Sequence, residues 1–365
     1  MLETAAKTKP AGQRAQAFDV AITGVATAVP SHKVSQEDVA ERAKAVFPHL
    51  ARLDGLYTNT GIESRYACQP KEWYYEHHGW EERTDVFQRH ALQLLEEVTL
   101  AAIANAGIGL KDIDVLVVNT ITGLAIPSLD AMLMNRLDFP RKMERLPIFG
   151  LGCGGGVAGV SRAVRYAQGM PGCNVLFLTV DLCSLCLRIA DPSLAMFVSG
   201  ALFGDGAAGV VLRNVGRSKG EGDPAGRILA VGDHFWSDTE RIMGWDIKQD
   251  GFGVVLSPDL PSLIRNHLAG AVQYFLDRSG MSLGEFSGFL LHPGGAKILN
   301  TAQEVLGLTD DDLALSREVL RDFGNMSSPT ALFALHRARR AGASGPHLLI
   351  AFGPGFSAYF VAVDL

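Results

Sequence analysis

What this chain has little of narrows its identity first. It carries no apolar run long enough to span a bilayer, and its first residues lack the apolar core of a secretion signal. Charged residues make up only 20% of it, and 33 basic against 39 acidic side chains leave a net charge of −6. A small acidic excess supplies no electrostatic footprint for nucleic acid or for an anionic membrane surface. Cysteine is scarce and odd in number: Cys68, Cys153, Cys173, Cys183 and Cys186. Without a secretion signal, five cysteines in 365 residues read as free thiols, not as a disulfide framework. Cys183 and Cys186 form a C-x-x-C, yet no second pair or histidine cluster completes a zinc site. The pair also closes an apolar run, whereas a redox pair usually opens a helix after a strand. No metal is expected, and the cytoplasm is the expected compartment.

What is present is a 47% hydrophobic sequence, long enough to bury a large core. Residues 1–16 read as a loose polar tail. Beyond them the chain repeats itself. Residues 104–120 (ANAGIGLKDIDVLVVNT) and 277–293 (DRSGMSLGEFSGFLLHP) each spell a helix end, a glycine cap, a short connection and a buried strand. The preceding helices carry Leu94, Leu95, Val98 and Ala102, and Ile264, Leu268, Val272 and Phe275, at core-facing spacing. Gly107 and Gly280 lie 173 residues apart, Cys153 and Asn325 172, and Asn174 and His347 173. That constant offset predicts two similar α/β halves, 17–214 and 225–365, joined through the polar stretch from Gly216 to Gly226. Alternating strands and helices predict mostly parallel sheets with helices on both faces.

The duplication puts Cys153 and Asn325 at equivalent positions, each just before a helix, and matches His292 at a strand end with Asn119. Cys153 lies in GLGCGGGVAG, where small neighbours permit a sharp turn and close approach to the sulfur. A helix starting at the cysteine lowers its thiol pKa, and His292 in LLHPGG is a candidate ion-pair partner for the thiolate. Alone, a free cysteine is most often a buried structural residue, a strand-end histidine a satisfied one, and an Asn before a helix an ordinary cap. Four flanking glycines and the symmetric placement favour a nucleophile with two helpers.

The stretches GLGCGGG, LFGDGAA (202–208), LLHPGG, GNMSS (324–328) and AFGPGF (351–356), in this order and spacing, resemble type III polyketide synthases of the chalcone synthase type. The resemblance implies a thiolase-like fold in αβαβα layers, acyl-CoA and malonyl-CoA as substrates, no cofactor, and a homodimer. It makes Cys153 the carrier of the starter and growing chain. His292 and Asn325 then stabilise the enolate left when malonyl-CoA loses CO2, as an oxyanion hole would. Phe203 matches a gatekeeper, equally readable as plain core, and Val254 stands where relatives have a second one. Ile121, Cys186, Met196 and Phe356 are expected around the cavity, and Gly353, Pro354 and Gly355 in the loop that shapes cyclisation. Arg52, Lys297, Gly294 and Gly295 are the CoA candidates, although Gly55 and Asn59 replace basic residues of relatives. Asp205, in a Gly-Asp-Gly turn, reads as structural. Ile126 matches a residue that enters the partner's cavity.

The apolar lining suits a fatty acyl starter, with release as an alkylpyrone or alkylresorcinol. Malonyl-only synthases of phloroglucinol or naphthalene type, and aromatic-starter synthases of chalcone type, are the alternatives. Ketoacyl-ACP synthase III and HMG-CoA synthase share the fold and the cysteine, but HPGG, GNMSS and AFGPGF weigh against both. A silent acyl-binding relative would be expected to have lost one of the three central residues.

Overall fold

The computed structural model describes residues 18–53, 55–216 and 225–365, so the expected tail and most of the expected connection lie outside the described residues. Thirteen strands follow in chain order: β1 Val20–Ala28, β2 His32–Ser35, β3 Ser64–Ala67, β4 Val115–Asn119, β5 Glu144–Ile148, β6 Asn174–Leu182, β7 Asp205–Asn214, β8 Arg227–Phe235, β9 Met243–Lys248, β10 Gly251–Leu256, β11 Gly288–Leu291, β12 Pro346–Gly353 and β13 Ser357–Asp364. Nine of them form one sheet in the order β11-β12-β13-β8-β1-β7-β6-β4-β5. The repeat is visible in that order. β11, β12, β13 and β8 occupy the places that β4, β6, β7 and β1 occupy on the other side. The two sets meet through a single residue pair, Ala21 with Arg227.

The sheet is mixed, which corrects the expectation of mostly parallel pairing. β4 runs parallel to β5 and β6, and β11 to β12. The other pairs, β6–β7, β7–β1, β1–β8, β8–β13 and β13–β12, are antiparallel. The cause lies in the connections. Helical crossovers link β4 to β6 and β11 to β12, whereas β12 returns directly into β13 through the Gly353–Ser357 turn.

Five layers result. Along β6, Val175 and Phe177 join a core with the helices Gly155–Gln168 and Thr330–Arg340, while Leu176, Leu178 and Val180 join one with the helix Trp80–Asn105. Along β12, Leu349 and Ala351 face the same central helices, and Leu348, Ile350 and Phe352 pack with Leu260–Ser279 and Ala296–Leu306. Strands buried on both faces read as continuous apolar runs, as these do. The outer helix of the second half starts with proline in its first turn and ends at Gly280 in the left-handed conformation (φ 67°). The two central helices therefore begin at the middle of the molecule, one behind Cys153 and one behind Asn325.

Candidate active site

Cys153 sits in a single 3-10 turn, Gly152–Gly154, that runs into the helix Gly155–Gln168. The glycines around it serve protein packing more than substrate approach. Gly152 has φ +51°, and a Cβ there would be driven onto the Pro354 ring. At Gly154 a Cβ would stand 2.5 Å from the Tyr359 ring, at Gly155 2.6 Å from the Asn119 amide, and at Gly156 it would enter the Ser328 carbonyl oxygen. The turn is thus wedged between the end of β4, the loop after Asn325 and the loop after β12.

His292 follows β11 directly, and its backbone amide donates to the Ile350 carbonyl at 2.7 Å. The ring is buried, and neither nitrogen has a hydrogen-bond partner among the described residues. Asn325 lies between the helix Ala314–Phe323 and the helix Thr330–Arg340, so it is not a helix cap. Its backbone forms an isolated parallel bridge with Phe203: its amide donates to the Leu202 carbonyl and its carbonyl accepts from Gly204, both at 2.9 Å. Its side-chain oxygen accepts from the Ser327 amide at 2.8 Å.

All three side chains line one cavity that encloses about 780 Å³ including its mouth. Burial pushes the Cys153 thiol up to about 11, partly offset by hydrogen bonds with the Ser327 and Asn325 side chains, while the Asp181 charge adds to the rise. Burial also holds His292 down at about 4. Burial thus favours the neutral form of both groups and opposes the expected thiolate–imidazolium pair. A neutral imidazole keeps one N–H to donate.

Sequence reasoning missed the carboxylate beneath this site. Asp181, fully buried, accepts from the Ile121 amide at 2.8 Å and the Ser328 amide at 3.0 Å, and so ties the end of β4 to the loop of the other half. Its place at the end of a buried strand was the available signal.

Of the other expected residues, Ile121, Phe203, Val254, Gly294 and Pro354 line the same cavity. Val254 is presented by the β9–β10 hairpin opposite Trp245, whose indole N–H donates to the Ile121 carbonyl at 3.1 Å. Three expected wall residues do not line it. The Cys186 thiol turns to the Thr122 carbonyl, and Cys183 faces the cavity in its place. Met196 packs with Phe47, Tyr57 and Phe197 and borders a separate apolar pocket beside Leu187 and Ile189. Phe356 is fully buried, stacked between Trp236 and Phe352. Gly353 packs against the Leu151 carbonyl, and Gly355 takes φ +63° in the turn that carries Pro354. Arg52 and Lys297 are exposed, and Gly295 caps the helix that holds Lys297. Ile126 is 98% exposed. Asp205 is structural, as expected: its carboxylate accepts from the amides of Cys68 and Ser184, both at 2.8 Å. Leu202, Met243, Leu256, Leu260, Ile264 and Ile298 complete an apolar wall, and of these the sequence pattern places only Ile264, on a core-facing helix stripe.

A cysteine at a helix start, two buried hydrogen-bonding groups and an apolar cavity at the centre of a duplicated α/β fold have the make-up of an acyl-transfer site. Comparison with known proteins makes that specific. The model of the N-terminal domain of chalcone and stilbene synthases matches residues 7–215, and that of the C-terminal domain residues 227–363. A 1,3,6,8-tetrahydroxynaphthalene synthase of Streptomyces peucetius is 37% identical over 96% of this chain and 95% of its own. A putative chalcone synthase of Bacillus subtilis is 33% identical over 92% and 96%. The crystal structure of the tetrahydroxynaphthalene synthase of Streptomyces coelicolor, a bacterial type III polyketide synthase, superposes with a TM-score of 0.89 at 29% identity, covering 94% of this chain and 99% of the other. The chain belongs to the chalcone and stilbene synthase family, the type III polyketide synthases. It is an acyltransferase that condenses malonyl-CoA units.

Proposed function

We propose that this enzyme loads a fatty acyl starter from CoA onto Cys153, extends it with malonyl-CoA, and releases an alkylpyrone or alkylresorcinol. The observation that carries the assignment of roles is the convergence of Cys153, Asn325 and a buried His292, unpartnered among the described residues, in one apolar cavity. The Cys153 sulfur attacks the starter thioester, its proton leaves through His292, and the proton ends on the departing CoA sulfur. Malonyl-CoA then enters with its thioester oxygen between the Asn325 amide and the neutral His292 N–H. Loss of CO2 puts negative charge on that oxygen, where two fixed donors stabilise it. The enolate carbon attacks the Cys153 thioester, a C–C bond forms, and the cysteine sulfur is released.

The starter reading rests on Ile121, Val254, Leu260, Ile264 and Ile298, a wall with almost nothing to hydrogen-bond a phenol. Water kept from such a site protects the reactive chain from hydrolysis. CoA thioesters enter as substrates past exposed Arg52 and Lys297, which suit its phosphates, with Gly294 and Gly295 beside the pantetheine arm. We further propose a cytoplasmic homodimer, supported by the bare apolar side chain of Ile126. A second reading, a malonyl-only synthase, is favoured by the 37% identity to an enzyme whose named product carries no alkyl chain.

The test is incubation of the enzyme with malonyl-CoA alone and with acetyl-, benzoyl- or palmitoyl-CoA, with products and intact protein read by mass spectrometry. Palmitoyl on Cys153 and alkylated products support the first reading. Products from malonyl-CoA alone, with no palmitoyl adduct, replace it with the second.

A further inference from the structure

Arg65 is 4% exposed, yet no carboxylate lies within ion-pair distance of it among the described residues. Its partners are carbonyls. Nη1 donates to Gly200 at 2.9 Å and Phe203 at 2.8 Å, and Nη2 to Ala201 at 2.9 Å and to the Gln36 side chain. These carbonyls end the helix Leu194–Leu202, whose C-terminal dipole offers negative charge at hydrogen-bond distance, with the Asp205 carboxylate acting from further away. The same helix end supplies the Leu202 carbonyl that accepts the Asn325 amide, and the next residues supply Phe203 and Gly204 of the bridge to Asn325. The start of the Arg65 side chain packs against both bridging segments: a Cβ at Gly204 would stand 3.2 Å from the Arg65 Cβ, and one at Gly324 3.6 Å from it.

We infer that Arg65 is a positioning residue for catalysis, acting through the helix end to set Asn325 and Phe203 in register across the cavity. The inference rests on the role given to Asn325 above. The two residues come from different halves of the chain, and the bridge joining them has one side fixed by Arg65. Gln36 holds the fork in turn: its amide donates to the Ala201 carbonyl at 3.1 Å, the Tyr57 carbonyl at 2.9 Å and the Thr60 hydroxyl at 3.0 Å. Arginine suits this place because a planar fork spans several separated acceptors at once, whereas a lysine offers its donors from a single point. Displacement of a donor by about 1 Å costs up to about a hundredfold in rate, so loosening this clamp falls on the step that uses Asn325.

The experiment compares Arg65→Met, Arg65→Lys and Gln36→Met with wild type in three measurements: kcat and KM for malonyl-CoA decarboxylation, the rate of Cys153 alkylation by iodoacetamide, and Tm. Wild-type decarboxylation comes first, since its absence would defeat the functional reading and not this one. Arg65→Met is expected to lower the decarboxylation kcat by about ten- to a hundredfold, with KM and alkylation changed less than about threefold. Arg65→Lys is expected to restore part of kcat, and Gln36→Met to show the smallest loss in the same direction. A merely structural role lowers kcat and the alkylated fraction together, in step with Tm, and that result overturns the inference. If Arg65→Met does not fold, unchanged kcat in both Arg65→Lys and Gln36→Met overturns it equally.

Discussion

The side-chain oxygen of Asn325 accepts the Ser327 amide at 2.8 Å, which fixes the orientation of the group and leaves its Nδ2 as the donor nearest the cavity. Nδ2 donates to the Gly294 carbonyl at 3.5 Å, the edge of a hydrogen bond, and the same side chain reaches the Cys153 thiol. Asn325→Asp keeps the shape and removes the donor. It is expected to lower kcat for malonyl-CoA decarboxylation by about a hundredfold or more. Release of acetyl-CoA in the absence of starter measures this, and retention of kcat within a factor of about three would remove Asn325 from the oxyanion site.

Cys153→Ala separates loading from decarboxylation. The enzyme is expected to lose the starter adduct completely in intact-mass spectra while still converting malonyl-CoA to acetyl-CoA, because His292 and Asn325 remain. An adduct persisting on the variant would point to another nucleophile, with Cys183 in the same cavity the first to inspect.

Which parts of this site were legible in the sequence follows from what kind of group makes each part. Cys153, His292 and Asn325 were legible because they sit on backbone turns marked by glycine, and the duplicated offset placed them together. Phe203, Ile121 and Val254 were located by resemblance. Cys186, Met196 and Phe356 were misplaced because an apolar side chain in a wall and one a layer behind it carry the same pattern. The direction of the Cys153 and His292 shifts was missed for a different reason: the helix start was visible in the sequence, and the depth of burial opposing it was not. Mixed pairing escaped because alternating elements predict crossovers, whereas β12 and β13 are joined by a tight turn.

The glycine packing gives a stability prediction. Gly156→Ala pushes a methyl into the Ser328 carbonyl and is expected to cost about 3 kcal/mol, near the upper end for overpacking. Gly79→Ala, with open space around it and ordinary backbone angles, is the control and should change little. Denaturant melts of the two variants compare them, and equal stability would contradict the packing described for the Cys153 turn.

Acid exposes the burial of His292. The folded ring titrates near 4 and an unfolded histidine near 6.5, so between these values the unfolded chain holds the extra proton. The stability due to neutral burial is complete above about pH 6.5 and is lost as pH falls, by about 2 kcal/mol at pH 5. Asp205, held up at about 6 by burial, works oppositely: its contribution is lost as pH rises through that value. The measurement is therefore a difference. His292→Gln should gain on wild type in stability as the pH drops from 7 to 5, and a constant difference would mean that His292 is not buried as a neutral ring.

Val254→Phe tests the starter reading at the cavity wall. The added ring narrows the passage beside Phe203, and kcat/KM for palmitoyl-CoA is expected to fall by about tenfold relative to acetyl-CoA. Equal losses for both starters would place Val254 away from the acyl path.

The groups that hold His292 and Asn325 are mostly backbone: the Ile350 and Leu202 carbonyls and the amides of Gly204 and Ser327. The walls of the cavity are side chains, many of them on the β9–β10 hairpin and the outer helices. Change can therefore accumulate in the walls without disturbing the reacting atoms. Such a division lets a lineage drift among starters and chain lengths by single substitutions, each intermediate remaining a working catalyst.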